Sequence, residues 1–421
     1  MTIRPRENVR SWLGLAVLVV PTALLAMDVT ILYLASPHLA ASLGPSRAEL
    51  LWILDVYGFV IAALLVPMGV LGDRVGRRRL LLVGAALFAG GSVFAAFAPT
   101  TGALIAARAL LGVAGAMVLP STLALISTMF HERRGTAIGI WAAAMSGGIA
   151  LGPVVGGALL QTWWWGAAFL VAVPVMALLL VAGPLLLPEH HGPVRSIDVL
   201  SVGLFVVATV LCVYGLKHFA VLPAVAGVGV GVWFVMRQRA VADPLVETAL
   251  FRGRFGRAVL VLVANTAVTG GVYLLVTQRL QENHAPLEAG LLLLPAAVAM
   301  IVTSVLAPRL ANAMSAGTTV AVSLLVAMAG FVIVPHSTVL GIVVVYVGQG
   351  PVMALVTDLV VGAAPAEKAG SAAAVSETGM EFGLALGVAV IGTLGAVTGF
   401  GTVALVAAVV SLLLAVVARL T

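Results

Sequence analysis

Apolar residues run along this chain in blocks of about twenty, broken by short polar turns, from near residue 11 to residue 419. A helix rises about 1.5 Å per residue, so each block can cross a hydrocarbon layer about 30 Å thick. The polar punctuation predicts fourteen spans, at about 11–36, 49–71, 79–98, 102–128, 135–160, 166–187, 197–217, 219–237, 256–278, 286–310, 317–335, 337–362, 370–395 and 398–419. The apolar–polar alternation of a membrane β-strand is absent. The expected fold class is therefore all-α and polytopic. Two polar breaks divide it, "PEHHGPVRSID" (188–198) and "RQRAVADPLVETALFRGRFGR" (237–257). They imply a six-helix bundle over 1–187, an inserted helix pair with its loop over 188–255, and a second six-helix bundle over 256–421.

Composition excludes a water-soluble globule: 62% of residues are hydrophobic and 9% charged, against roughly 25% charged in soluble domains. The net charge of +6 could favour nucleic acid, but the basic residues sit in short loops, where they orient a membrane protein. Eighteen lie on one side, among them Arg4, Arg74, Arg77, Arg133, Arg237, Arg309 and Arg419, against Arg47, Lys217 and Arg279 on the other. That bias expects both termini in the cytoplasm of a protein embedded in the plasma (inner) membrane. "QTWWWG" (161–166) then marks the outer interface. The first segment, with Arg10 ahead of a long apolar run, is expected to be a retained helix rather than a cleaved signal. Cys212 is the single cysteine, and no histidine lies mid-membrane, so no metal site is expected. With no G-x-x-x-x-G-K-[ST] loop and no nucleophile–base spacing, neither ATP drive, an enzyme activity nor a bound cofactor is expected.

The exceptions inside the apolar blocks carry the chemistry. A carboxylate at membrane depth costs about 2.5–3.5 kcal/mol. Asp28 lies roughly eight residues, or about 12 Å, below the outer end of the first span. Arg108 and Asp55 fall in the same outer layer on spans four and two. Two readings fit them: a static ion pair, or a proton-responsive cluster in which Asp28 is neutralised, and the second is preferred. Glu377 and Glu381 stand four apart on span thirteen and so share a helical face. Glu381 has no basic residue at its depth in the last six spans. It is expected unpaired and lining a wet cavity, or else protonated and bonded to backbone. Asp358 lies near the inner end of span twelve, where it can also reach headgroup water. Five acids against one Arg108 make the cavity net acidic, which suits lipophilic cations and protons. Trp52, Tyr57, Trp141, Tyr273, Tyr346 and Phe382 offer aromatic faces to a cation, although each also serves as ordinary packing.

"GVLGDRVGRRRLL" (69–81), in the turn between spans two and three, resembles the signature loop of the major facilitator superfamily at nearly every position. "GGIALGPVVGG" (147–157) on span five is similar to the antiporter motif of that superfamily's exporters. Alone, its glycines at four-residue spacing also fit plain close packing. "RALLGVAGA" (108–116) looks like the fourth-helix motif, with Leu111 where the family has Gln. "MDVTILYLASP" (27–37) resembles the first-helix motif of fourteen-span drug:proton antiporters, with Tyr33 in place of Asn. Spans thirteen and fourteen are joined by "AVTGFG", where longer members carry an extracellular hairpin.

The resemblance implies two six-helix bundles flanking a central cavity, and a proton-coupled exporter of amphiphilic, cationic drugs or toxic compounds, powered by the proton gradient. A dedicated exporter of one secondary metabolite is the alternative. It implies proton coupling through Asp28, Arg108, Glu381, Glu377 and Asp55. Cargo contacts fall to Asp28, Trp52, Asp55, Tyr57, Tyr273, Glu381 and Asp358. Gating falls to Gly69, Asp73, Arg74, Gly76, Arg77 and Arg78 in the loop, and to Gly148, Gly152, Pro153 and Gly156 on span five. The implied partners are a small lipophilic substrate, protons and membrane lipids, not nucleic acid, with the monomer as the working unit.

Overall fold

The computed structural model describes residues 9–191, 198–217, 220–241, 244, 251, 253–282, 284, 286–363 and 369–419. Within them the chain is helical almost throughout, as an apolar environment demands of a backbone that must satisfy its own hydrogen bonds. The helices are α1 (Val9–Leu43), α2 (Arg47–Val75), α3 (Arg77–Ala96), α4 (Thr101–Met129), α5 (Arg134–Thr162), α6 (Ala167–Leu170), α7 (Ala172–Leu186), α8 (Val199–Lys217), α9 (Val221–Gln238), α10 (Arg254–Gln281), α11 (Pro286–Met314), α12 (Ala316–Ile333), α13 (Thr338–Gly362), α14 (Ala369–Thr398) and α15 (Phe400–Ala418).

Their ends follow local chemistry. Ser46 caps α2 in a capping box, its hydroxyl accepting from the Glu49 amide while Glu49 accepts from the Ser46 amide. Thr100 caps α4. Gly76, at φ +106°, closes α2 and releases α3 in the reverse direction, a conformation few other residues adopt.

Twelve helical stretches among the described residues are long and apolar enough to cross a membrane, with α6 and α7 together forming one. The expected count of fourteen is thus not reached. In α8 the qualifying stretch is only Val199–Cys212. α14 is the other helix not among the twelve.

Packing sorts the helices into two sets that repeat one plan. In the first, α1 lies parallel to α5, α2 parallel to α4, and α3 antiparallel to α4. In the second, α10 pairs with α14, α11 with α13, and α12 with α13 in the same senses. Glycines set the close approaches. Gly148 abuts the Ala23 carbonyl of α1, and Gly152 abuts the Met27 carbonyl and the Thr30 hydroxyl. Gly383 and Gly387 abut the Val263 and Ala267 carbonyls of α10. The α8–α9 pair packs on α2 and α14, with Leu204 and Phe234 buried against Val66 and Val70. Where the pair begins, the Ser201 hydroxyl and then the Arg237 guanidinium hold the Asp198 carboxyl below its ordinary range.

The two sets meet through α5 against α11 and α13, and through α14 against α2 and α4. Gly139 lies on the Ser304 carbonyl and Gly135 near Pro308. Arg134 pairs with Asp358 at 2.9 Å and donates to the Asp358 carbonyl at 3.1 Å. Val375 of α14 packs against the Val66 and Val70 cluster of α2. The contacts of Gly135, Gly139, Arg134 and Val375 lie toward one end of the bundle, the end that also carries Arg74, Arg77, Arg237 and Arg309; it is called the basic face below.

A side chain at Gly387 must displace backbone of α10, whereas Gly229 of α9 has nothing within 4 Å of its would-be Cβ. Gly387→Val is expected to destabilise by about 1–3 kcal/mol and to lower the melting temperature in detergent by several degrees. Gly229→Ala should melt within a degree or two of the parent. Equal melting of the two variants would refute the close-packing account.

Candidate functional site

Arg108 of α4 is fully buried among apolar helices. An isolated guanidinium there is prohibitively expensive, so its surroundings supply partners on several sides. Nη1 donates to Asp28 Oδ2 of α1. Nε donates to the Ile53 carbonyl of α2 at 3.2 Å. The guanidinium plane lies 4.5 Å from the centre of the Tyr57 ring, a cation–π contact. Nη2 has no partner. The depth argument from sequence thus pairs the right residues, Asp28 and Arg108. Its third member, Asp55, lies on α2, but its side chain is outside the described residues.

A second group stands on α14. Glu377 is 1% exposed and its Oε1 has no hydrogen-bond partner. The hydroxyls of Ser376 and Thr378 on either side are likewise buried without partners. Glu381, one turn along, is half-buried and engaged in an interaction, so the expectation of an unpaired Glu381 is corrected: the orphaned oxygen belongs to Glu377. Both carboxyls are within electrostatic reach of one another, and Glu381 also of Tyr57. That proximity joins the α14 acids to the Arg108 centre across the α2–α14 contact. Trp52 stacks on Tyr214 of α8 at 5.9 Å and meets Phe59 edge-on at 6.0 Å. Phe382 packs on the same Phe59. An aromatic wall therefore stands beside the acids.

Other expectations are redirected. Asp358 is a poor cargo ligand because it is already paired with Arg134 at the basic face. The sequence tally placed Arg134 in a loop and missed it as a partner, since depth alone does not show that the first turn of α5 reaches the end of α13. Tyr273 lies away from the Arg108 centre, 6.3 Å from Tyr346 in the second set. Trp141 is fully buried packing.

In the signature loop, Arg77 is buried and donates from Nε to Asp73 at 2.9 Å. Its amide donates to the His190 carbonyl at 2.9 Å. Arg78 donates to the Leu187 carbonyl at 3.0 Å, and its amide to Glu189 at 3.1 Å. These bonds fasten the turn to the segment after α7, within its own set. Arg74 is exposed and Gly69 buried. Gly148 and Gly152 form the α5 face against α1 described above, and Gly156 is buried; the Pro153 side chain is outside the described residues.

Sequence reading also overlooked a signal it could have found. "FGLALGVAVIG" (382–392) on α14 repeats "GGIALGPVVGG" (147–157) on α5, with Gly, Ala, Leu, Gly and Gly in matching places. The two helices make equivalent contacts in their own sets.

Comparison with known proteins agrees with this architecture. Residues 18–378 match the profile of the Major Facilitator Superfamily. The chain is 41% identical to the multidrug efflux pump LfrA of Mycolicibacterium smegmatis, over 92% of this chain and 82% of that protein. It is 36% identical to the methyl viologen resistance protein SmvA of Salmonella typhimurium, over 91% and 82%. It is 33% identical to the tetracenomycin C resistance and export protein of Streptomyces glaucescens, over 91% and 76%. The fold matches the crystal structure of the human organic anion transporter MFSD10 with a TM-score of 0.73, covering 99% of this chain and all of that one at 16% identity. Helix pairing, signature loop and sequence likeness together place this chain in the Major Facilitator Superfamily.

Proposed function

We propose that the protein is a fourteen-span, proton-coupled exporter of amphiphilic cationic drugs or toxic compounds, built as six spans, the α8–α9 pair and six more. The efflux and resistance roles named for LfrA and SmvA support an exporter. The observation that carries the coupling is the orphaned Glu377 oxygen, one turn from Glu381, which itself lies within electrostatic reach of Tyr57 at the Arg108–Asp28 centre. A buried carboxylate without a partner needs either a proton or a cation, and one group serving both ligands alternately is an exchanger.

With the basic face in the cytoplasm, the contacts of α5 with α11 and α13, and of α14 with α2, close the inner side. The state described is then outward-facing. From it, a proton from outside enters at Asp28 or at the α14 acids. Protonation of Asp28 frees Arg108 from its ionic partner and loosens the hold between α1 and α4. The halves rock about α5 and α14, whose glycine faces keep each helix tight on its own set and limit leak. The Arg134–Asp358 pair opens as the inner side opens, so Asp358 serves as a gate rather than a cargo ligand. The cation then displaces the proton at Glu377 and Glu381, with Trp52 and Tyr57 as aromatic walls, and the cycle reverses. Asp73, Arg74, Arg77 and Arg78 hold the inner turn rigid as the halves move.

Export of a single metabolite is the second reading, favoured by the likeness to the tetracenomycin C export protein. A panel of chemically unrelated cationic dyes separates the two, since a dedicated exporter moves few of them.

Asp28→Asn and Glu377→Gln are each expected to cut proton-driven efflux from vesicles at least tenfold, with Glu381→Gln also impaired. Retention of full activity by Asp28→Asn and Glu377→Gln together would sink the mechanism. Adding a lipophilic cation to detergent-solubilised protein should release protons, and Glu377→Gln should diminish that release. Asp358→Asn should shift the population toward the inward-open state, read as faster labelling of a cysteine placed at residue 135, where a Cβ meets only ordinary contacts, in a Cys212→Ser background. Unchanged labelling would remove the pair from the gate.

A further inference from the structure

The α8–α9 pair is one rigid piece. Gly215 of α8 abuts the backbone of Ala224 on α9, and Gly227 of α9 abuts that of Cys212 on α8. At the basic face Asp198 pairs with Arg237 at 2.8 Å, and the buried Gln238 amide donates to the Ser201 hydroxyl at 2.7 Å. Val225, Val228 and Val232 share one face of α9 and are exposed, as residues turned to lipid are. The other side of the pair lies along the seam where α2 of the first set meets α14 of the second. Toward the basic face, Leu204 and Phe234 are buried against Val66 and Val70 of α2, and Val375 of α14 joins the same cluster. Further along α8, Tyr214 packs on Phe59 of α2, and so does Phe382 of α14.

The covered seam is the one that carries the α14 acids. Glu377 and Glu381 lie between Val375 and Phe382 in the chain, so the acidic stretch is bracketed by residues that share their clusters with α8. The opposite seam, α5 on α11, differs in both respects. Among the described residues neither helix of the pair packs on it, and Leu151 of α5 and Val298 and Val302 of α11 are exposed. α5 has no acid from Arg134 to Thr162, and α11 has only Glu288, in its first turn. A seam without carboxyls can open against lipid at little cost, because lipid tails are as apolar as its own side chains. A seam with two carboxyls cannot. Ionised groups at membrane depth are tolerated only against protein or water, and hydrocarbon would also cut them off from protons.

We propose that the α8–α9 pair is a lipid shield for the α14 carboxyls, carried on α2 and keeping hydrocarbon out of the α2–α14 seam as the two sets separate. The assignment rests on the rocking-exporter reading above and gives the inserted pair its role there. α2 is the carrier because it supplies buried residues at both levels, Val66 and Val70 near the basic face and Phe59 farther in. α14 adds only partly buried side chains to those clusters, Val375 and Phe382, and so can slide behind the pair. When α14 withdraws from α2 at the basic face, its carboxyls meet water entering from that side, with α8 between them and the bilayer. Glu377 and Glu381 then exchange their proton and their cation with water and not with lipid.

Two carbodiimides test the shield in vesicles held under a proton gradient, dicyclohexylcarbodiimide, which stays in the bilayer, and a water-soluble one. Modification of Glu377 and Glu381 is read by mass spectrometry of the α14 peptide. Leu204→Ala with Phe234→Ala thins the shield over the seam. It should speed reaction with the bilayer reagent roughly 3- to 10-fold and leave the water-soluble reagent within about twofold. Trp233→Ala, a cut on the exposed side of α9, should change neither, and Leu204→Ala alone gives the same comparison if the double variant is unstable. Equal acceleration of both reagents, acceleration of neither, or the same acceleration by Trp233→Ala overturns the shield. Carriage on α2 is read separately. Val66→Cys and Leu204→Cys, in a Cys212→Ser background, are joined by a short bifunctional thiol reagent. Joining should leave efflux within about twofold of the unjoined protein, and loss of efflux on joining overturns the carrier. A parent that moves no cation faults the exporter reading instead, while the carbodiimide comparison still judges the shield.

Discussion

The burial of Arg108 is the constraint around which the first half is arranged. A guanidinium that never loses its charge has been placed where no water reaches it. The cost is tolerable only because three neighbouring groups converge on it: the Asp28 carboxylate, the Ile53 carbonyl and the Tyr57 ring. The first belongs to α1 and the other two to α2, so the arginine of α4 ties α1, α2 and α4 into one body. A Lys at this place could not serve as well, since its ammonium lacks the planar fork that bonds two directions while presenting a face to tyrosine. The unpartnered Nη2 keeps the arrangement short of full satisfaction. A centre that is nearly but not wholly satisfied can be rearranged by one proton.

The second half shows the same frame without that constraint. The equivalent helices α10 and α13 are joined by the reciprocal amide pair of Asn265 and Gln349, at 2.7 and 3.1 Å. Both amides are buried and fully engaged, and neither titrates at physiological pH. On the equivalent helix pairs, the first set thus carries an ion pair where the second carries neutral hydrogen bonds, and the second set's own carboxyls, Glu377 and Glu381, stand instead on α14, against the first set.

Much of this was legible in the sequence because membranes impose one dominant rule. Apolar blocks and polar turns gave most helices within a few residues, and equal depth on spans one and four found the Asp28–Arg108 pair. Depth failed where lateral position mattered. It could not show that Arg134, at the very start of α5, reaches across the interface to Asp358, nor that Tyr273 stands apart from the Arg108 centre. Four-residue spacing put Glu377 and Glu381 on one face, but which of the two keeps an orphaned oxygen depends on neighbours that spacing does not encode. The glycine repeat in α14 was readable and went unread, because its proline is replaced by Val388 and one glycine by Ile391.

The closed basic face raises a question of balance. Its ionic link, Arg134 to Asp358, has side chains 30% and 29% exposed, and pairs with that much solvent access contribute only about 0–1 kcal/mol. The larger hold comes from α5 lying on α11, where Gly139 lets the backbone come up against the Ser304 carbonyl. Neither is strong. A transporter must cross between its two states on every cycle, and a difference of about 5.5 kcal/mol already takes a two-state population from one extreme to the other. A seal made of a weak ion pair and a glycine contact leaves the states close in energy. Under the proposed mechanism, protonation of Asp28, which removes the ionic partner of the buried Arg108, is then large enough to decide between them.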